Sequence, residues 1–430
     1  MRPVPSLVTA LMMLAWAAPA GAIPRFAART GNDCIQCHVN PGGGGPRNAY
    51  GRNIFERASL PMFSRSSAVP ELTLDLTDEE LQALEEGAGP SDDQGLVNFS
   101  GDVTDWLAIG ADLRVSYMWV RPDHGLLPGT DPVITSDFFV MEDYLYLDAR
   151  VHENVEMVLQ IGPYLGFEAW GLFRLFPEDT QGFNLLVKAG HFYPTFGIRE
   201  VEHQLFTREF IGIGNADRDT GVEVSAYAGP VTATVAILNG TLGGLVLDSN
   251  GTASRTFEKA VVARVSARAD LTWGRFQLGG SFYFNENAGQ ANPLFVRSLP
   301  SATAPLASQG LNELRFGGFA SANIGPATWL GDLVIVRDRF YSNQLSPITG
   351  YASYQELSWT VLQGLDLLST LEYMDPDVEL SNNSGLRAGF AVEFFPWPFV
   401  EMRAMVRRQI SDTSPTGGTW DIVLFTHLFM

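Results

Sequence analysis

From about residue 105 onward, apolar and polar side chains alternate one for one over strand-length stretches. Lys259–Leu271 is the clearest case. Val261, Ala263, Val265, Ala267, Ala269 and Leu271 share one face, and Arg264, Ser266, Arg268 and Asp270 share the other. Glu313–Ile324 sets Leu314, Phe316, Ala320, Ala322 and Ile324 against Glu313, Arg315, Ser321 and Asn323. Phe399–Ile410 sets Val400, Met402, Ala404 and Val406 against Glu401, Arg403 and Arg407. A period of two is the signature of a strand with one apolar face. These stretches match the ~9–11 residues of a tilted transmembrane strand and exceed the ~5–6 of an ordinary soluble one.

The punctuation between them carries as much weight. Short connections (His152–Asn154, Gly229-Pro230, Trp273-Gly274, Gly325-Pro326, Gln363-Gly364, Pro396-Trp397-Pro398) alternate strictly with long ones. The long ones are Arg121–Ser136, Pro194–Thr220, Gly240–Phe257, Glu286–Leu311, Tyr341–Gly350, Pro376–Ser384 and Ser411–Thr419. Short turns at one rim and long loops at the other predict an all-β, antiparallel transmembrane barrel. The count from Trp106 to Met430 closes at about 16 strands, with both ends on the periplasmic side. Trp106, Trp119, Trp273, Trp397 and Trp420 fall near strand ends, where an interfacial girdle belongs.

Four segments follow. Residues 1–22 read as a secretory leader: Arg2, an apolar run Leu7–Ala18, and Ala20-Gly21-Ala22 as the cleavage site. Residues 23–63 form a small N-terminal segment. Residues 64–104 are a linker in which Thr77-Asp78-Glu79-Glu80 opens a short acidic helix as a capping box. Residues 105–430 are the barrel.

Composition narrows the classes. Charged residues are 18% and hydrophobic ones 46%, so the chain has a core to bury and is not an acidic disordered protein. Past the leader no run approaches the ~18 apolar residues of a spanning helix. The formal net charge is −20, which disfavours nucleic acid and anionic lipid as partners. No Ser-His-Asp, zinc or Walker pattern occurs, and no catalytic side chain is assigned.

The only two cysteines stand together, as Cys34-Ile35-Gln36-Cys37-His38. C-x-x-C-H is the attachment pattern of c-type haem: two thiols three apart reach two vinyl groups of one porphyrin, and the adjoining imidazole meets the iron. Two other readings stay open on spacing alone. An exported C-x-x-C can close as a disulfide. A redox dithiol would want a thioredoxin-like βαβ context, which the flanking sequence lacks.

The flanking residues are more specific. Ile23-Pro24-Arg25-Phe26-Ala27-Ala28-Arg29-Thr30-Gly31, the C-x-x-C-H motif, Pro41 and Tyr50-Gly51-Arg52 resemble the N-terminus of the fused outer-membrane cytochrome–porins of iron-oxidising bacteria. Pro24, Phe26, Ala27, Thr30, Gly31, Cys34, Cys37, His38, Gly51 and Arg52 carry the resemblance, which covers about 30 residues. Gly42–Gly45 and Pro46-Arg47-Asn48 depart from the family pattern. The resemblance implies one covalent haem c on Cys34 and Cys37 with His38 as proximal ligand. It also implies a porin barrel in the outer membrane and electron transfer between an extracellular donor (ferrous iron in the family) and periplasmic c-type cytochromes. Reduction of an external acceptor is the same chemistry reversed, and association of barrels as oligomers is open.

For the distal iron position the residues offer rivals. Leu60-Pro61-Met62-Phe63 resembles a Pro-Met ligand loop, which makes Met62 one candidate. The long connection Pro194–Thr220 is placed to fold inward and narrow the pore; it carries His203, with His191 just before it. The competing function is a diffusion porin whose Cys34–Cys37 pair is a disulfide in a periplasmic plug. Its lumen arginines (Arg264, Arg268, Arg315, Arg403, Arg407) would then favour anions.

Overall fold

The computed structural model describes residues 23–63, 101–125, 130–162, 166–176, 183–199, 205–209, 213, 217–240, 259–287, 311–340, 346–412 and 417–430. The leader, the acidic helix of the linker and His203 lie outside the described residues.

A short strand β1 (Asp102–Thr104) precedes the barrel and lies antiparallel on its first strand. The end of the predicted linker is therefore paired chain. The barrel strands are β2 (Leu107–Pro122), β3 (Thr135–His152), β4 (Val155–Gly162), β5 (Gly166–Arg174), β6 (Phe183–Phe192) and β7 (Asp219–Ala228). Next come β8 (Val231–Leu238), β9 (Ala260–Leu271), β10 (Gly274–Asn287), β11 (Leu311–Ile324) and β12 (Ala327–Phe340). The last are β13 (Ile348–Leu362), β14 (Leu365–Asp375), β15 (Gly385–Phe394), β16 (Val400–Ser411) and β17 (Thr419–Phe429). Each pairs antiparallel with its neighbours in the chain, and β17 closes on β2, with Phe429 opposite Asp112. The sixteen strands thus form a closed ring. Closure leaves no unpaired strand edge, the condition for a sheet to stand in lipid.

The side-chain pattern is the inverse of a soluble sandwich. Along β17, Trp420, Ile422, Leu424 and Leu428 are exposed outward, while Asp421, Val423, Phe425, His427 and Phe429 are buried inside the ring. The same holds around the wall: Ile237, Leu278, Leu333 and Leu371 face out, and Glu223, Ser281, Asp332 and Glu372 face in. Trp106, Trp273, Trp329, Trp359 and Trp397 stand exposed near the short-turn rim. An apolar outer belt edged by indoles is built for a bilayer. The short turns fall where the glycines and prolines put them, with one correction. The β4–β5 connection on the long-loop rim is brief (163–165), and the β5–β6 connection on the other rim is longer (175–182), so the alternation is not strict.

Residues 23–63 lie inside the ring. They comprise helix α1 (Pro24–Thr30), a 3-10 turn Cys34–Gln36 and a widened helix α2 (Gly51–Ser59). Pro24 starts α1 at a position needing no N–H, and Gly31, at φ 75°, ends it with its N–H on the Ala27 carbonyl. The segment touches opposite walls. Arg275 of β10 donates to the Arg29 carbonyl (2.5 Å), and Arg47 pairs with Asp112 of β2 (3.5 Å), eight strands away. Lys188 of β6 donates to Asn40 (3.1 Å), and Arg29 pairs with Asp366 of β14 (3.0 Å), again eight strands away. The chain therefore crosses the lumen in two directions. It does so near the short-turn rim, where the Met62 and Phe63 N–H groups donate to the Phe395 and Pro396 carbonyls.

The anchor is Arg25. Its guanidinium meets Glu356 of β13 (3.3 Å), Asp366 of β14 (3.9 Å) and Glu393 of β15, all buried. Beside it Phe26 packs edge-on against Phe395, and with Leu60 and Phe429 it forms an apolar cluster under the segment. Removing one partner of a buried ion cluster strands the others and costs on the order of 3–5 kcal/mol. An Arg25→Ala chain is expected to keep the barrel, seen as unchanged heat-modifiable gel migration, while residues 23–63 become cleavable by added protease. Equal protection of the two chains would contradict this anchoring.

Candidate functional site

The C-x-x-C-H sequence is folded by its own backbone and by one asparagine. Asp33 and Gln36 cap the 3-10 turn reciprocally, and the Cys37 and His38 N–H groups both donate to the Cys34 carbonyl (3.2 and 2.9 Å). Asn48 then clasps the turn. Its side-chain amide donates to the Ile35 and Gln36 carbonyls (2.9 and 3.0 Å), its backbone N–H to Cys37 (3.0 Å), and its Oδ1 accepts from Gly51 (2.9 Å). Gly51 is pressed so tightly on the turn that a Cβ there would collide with the Cys37 carbonyl. Arg52 holds the Arg47 carbonyl (2.5 Å) and Asp102 (2.7 Å). The return from His38 runs through Gly43, Gly44 and Gly45 with φ of 79°, 69° and 69°, a left-handed run open only to glycine at low cost. The glycines that depart from the family pattern thus make the loop that brings Arg47 back opposite His38.

Cys34, Cys37 and His38 line one cavity. Ile23, Phe26, Phe55, Leu60 and Phe429 make its apolar wall, and Glu401 and His427 of the barrel bound it. Cys34 also borders a second space on the side of the inward loop, beside Tyr193, Arg199, Tyr227 and Arg264. Both thiols are free. Burial pushes the Cys37 thiol up to about 12, with Cys34 adding to the effect, and burial raises Cys34 as well. Burial, then the guanidiniums of Arg47 and Arg199, pushes the His38 imidazole down to about 3, so the ring is neutral at physiological pH. Its Nδ1 is buried and makes no hydrogen bond.

The described residues of the connection between β6 and β7 lie in the lumen and reach this segment. It carries a short helix α3 (Phe206–Glu209), and Phe196, Ile198, Leu205, Phe206 and Ile213 are buried. Arg199 donates to the Gly43 carbonyl, Thr195 to Glu223 (2.8 Å), and Arg208 pairs with Asp332 (3.2 Å).

The rival distal residues fall elsewhere. Met62 is half-buried at the short-turn rim, held by Phe395, and does not line the cavity of His38. His191 stacks on exposed Phe167, on the outer side of β6, and bonds Thr220 (3.0 Å). The lumen arginines are engaged rather than open. Arg315 pairs with Asp338, Arg407 with Asp421 (2.5 Å), Arg268 with Asp33 (3.3 Å), and Arg264 donates to the Gly197 carbonyl (3.0 Å).

His427 is the residue that sequence reasoning missed. It reads as an isolated strand histidine, yet it borders the cavity and meets Glu401 (2.9 Å), Asp112 (3.5 Å) and Glu142 (3.7 Å). Alternation along β17 places it on the inward face, but its acidic neighbours come from β2, β3 and β16. Those are near only because the ring closes.

No protein-family model matches the chain, and no curated protein matches its sequence. Solved structures do. The high-pH structure of OprB from Pseudomonas putida aligns with TM-score 0.52 at 10% identity, over 82% of this chain and 96% of that one. An anion-selective porin from Comamonas acidovorans aligns with TM-score 0.50 at 10% identity, over 75% of this chain and 99% of that one. At such identity the likeness is one of fold. The barrel is porin-like and of the outer-membrane type.

The neutral His38 has a pH consequence. Free of the lumen its imidazole titrates near the ordinary 6.5, and docked it titrates near 3. Docking is therefore at full strength above pH 6.5 and weakens as pH falls, by about 1.4 kcal/mol per unit. In a Cys34→Ser/Cys37→Ser chain, protease protection of residues 23–63 is expected to decline between pH 6.5 and 5, above the carboxylate range. His38→Gln should flatten that decline; an identical slope in both chains would refute the assignment.

Proposed function

We propose that this chain is an electron conduit of the fused cytochrome–porin kind, with one c-type haem held covalently by Cys34 and Cys37 and ligated by His38. The observation that carries the reading is that both thiols and the imidazole line a single cavity inside a barrel lumen. The residues suit that group. The thiols are unpaired, as two thioether bonds to one porphyrin require. The imidazole is neutral, the form that ligates iron, and has a buried nitrogen with no hydrogen bond. The apolar wall of Phe26, Phe55, Leu60 and Phe429 suits a porphyrin face. When bound, the haem supplies one-electron transfer at its iron.

The chain's own residues do the rest. Cys34 and Cys37 fix the position, Asn48 and Gly51 hold the turn, and Arg25 locks the segment to the wall. The barrel substitutes for the missing cytochrome core and excludes lipid. In this reading the short-turn rim and both termini face the periplasm. Electrons pass from an extracellular donor, ferrous iron in the family the N-terminus resembles, to periplasmic c-type cytochromes. The activity is then that of an outer-membrane Fe(II) oxidase.

A second reading is a diffusion porin whose plug is closed by a Cys34–Cys37 disulfide. The fold likeness to porins, one of them described as anion-selective, favours it.

Haem staining of the denatured outer-membrane band, with a pyridine haemochrome spectrum, separates the two. The conduit is expected to stain with a c-type spectrum and to lose the stain in Cys34→Ser. Gly51→Ala, which drives a methyl into the Cys37 carbonyl, should lower haem per polypeptide several-fold. An unstained band from cells with a working attachment pathway, with anion-selective conductance in planar bilayers, would establish the porin.

A further inference from the structure

We propose that Asp112, Glu142 and His427 form a binding site for a divalent first-row transition-metal ion in the barrel wall, next to the cavity of the C-x-x-C-H turn. One ligand atom from each lies within 4.8 Å of the other two, and all three residues are buried. They come from β2, β3 and β17, and they meet at the seam where the ring closes. Glu401 stands opposite His427, His427 opposite Arg114, and Arg114 opposite Glu142.

The case rests on the two nitrogens of His427, a side chain only 3% exposed. Nδ1 is 2.9 Å from a Glu401 oxygen. Arg114 Nη2 stands 3.3 Å from the same Nδ1; a carboxylate only accepts, so with the proton on Nδ1 it is Glu401, at the shorter distance, that takes it. This is the arrangement by which a metal-ligating histidine is oriented by an outer carboxylate. Nε2 makes no hydrogen bond. It points instead between Oδ1 of Asp112 (3.5 Å) and Oε2 of Glu142 (3.7 Å). A proton on Nε2 would be expected to draw a carboxylate to about 2.7–2.9 Å, the length of a charge-assisted bond. These gaps are longer than that and near the spacing of two ligands on one ion. Ligands bonded at about 2.1 Å to one ion at tetrahedral angles stand about 3.4 Å apart.

Other details agree. The β2–β3 pairing shifts register between Arg114 and Val115, at the point that presents Glu142 to the lumen. Asp112 is held by the Tyr146 hydroxyl (2.5 Å) on its other oxygen, and its Oδ1, which also accepts from Arg47 (3.5 Å), lies toward His427. Arg114 lies 3.4 Å from Oε1 of Glu142, and Arg47 3.5 Å from Asp112, so the carboxylates are partly offset and the ion does not face their full charge. One imidazole with two carboxylates is a donor set for divalent manganese, iron, cobalt or zinc rather than for calcium. His427 belongs both to this triad and to the wall of the cavity that holds His38. On the conduit reading, and resting on it, the ion held here is the reducing substrate. Binding itself does not depend on that reading.

The test is Mn²⁺ titration of the full detergent-solubilised chain, following loss of the free-ion electron paramagnetic resonance signal. One Mn²⁺ per barrel is expected, with ¹⁴N modulation from an imidazole in the bound spectrum. His427→Ala and Asp112→Asn should each weaken it about tenfold or more, with heat-modifiable migration reporting an intact barrel. Binding that is absent, or equal in these variants, overturns the site and leaves an ion-pair cluster. If a variant does not fold, the wild-type spectrum decides, and no nitrogen modulation overturns the proposal. A haem-free Cys34→Ser chain that still takes up Mn²⁺ with nitrogen modulation upholds the site even if the haem reading fails.

Discussion

A ring of sixteen strands encloses more room than its inward side chains fill, and a segment of about forty residues buries too little to fold alone. Each half of this protein lacks what the other has. The barrel offers a walled volume, and residues 23–63 offer something to put in it. The polar face that alternation turns inward is the surface on which that segment is built. Phe26, Val39 and Leu60, which a free peptide would expose, are buried there against the wall or the inward loop.

Charge is what registers the two halves. The segment contributes Arg25, Arg29 and Arg47, and the wall answers with Glu356, Glu393, Asp366 and Asp112. In return the wall contributes Lys188 and Arg268, which reach Asn40 and Asp33. Buried pairs of this kind add little net stability, yet a misplaced partner is severely penalised, so they select one docking geometry. Arginine is suited to this because its flat guanidinium bridges two acceptors at once. Arg387 does so with both oxygens of Glu372, at 2.7 and 2.8 Å.

The backbone at the C-x-x-C-H turn is as constrained as the charges. A single asparagine closes four hydrogen bonds around it, and a single glycine leaves room for the Cys37 carbonyl. The loop of Gly43, Gly44 and Gly45 then offers a carbonyl to Arg199 of the inward connection. Three separate parts of the chain are thereby fitted around one short motif.

Local order was legible without coordinates. Alternation along Lys259–Leu271, Glu313–Ile324 and Phe399–Ile410 names strands, their lengths and their lipid faces, because a period of two is a property of neighbouring residues. Glycine and proline name most turns for the same reason, and the β4–β5–β6 corner departs where connection length is free to vary. Cys34, Cys37 and His38 stand out by spacing, and the inward loop stands out by length. Nothing in the sequence says that Met62 is tied to Phe395 or that His191 faces outward across from Phe167. Nothing along the chain brings His427 to Asp112 and Glu142, some three hundred residues away. Those facts depend on which strands meet when the ring closes and on what then fills it, and only the tertiary structure, by bringing distant charges into one low-dielectric space, decides them.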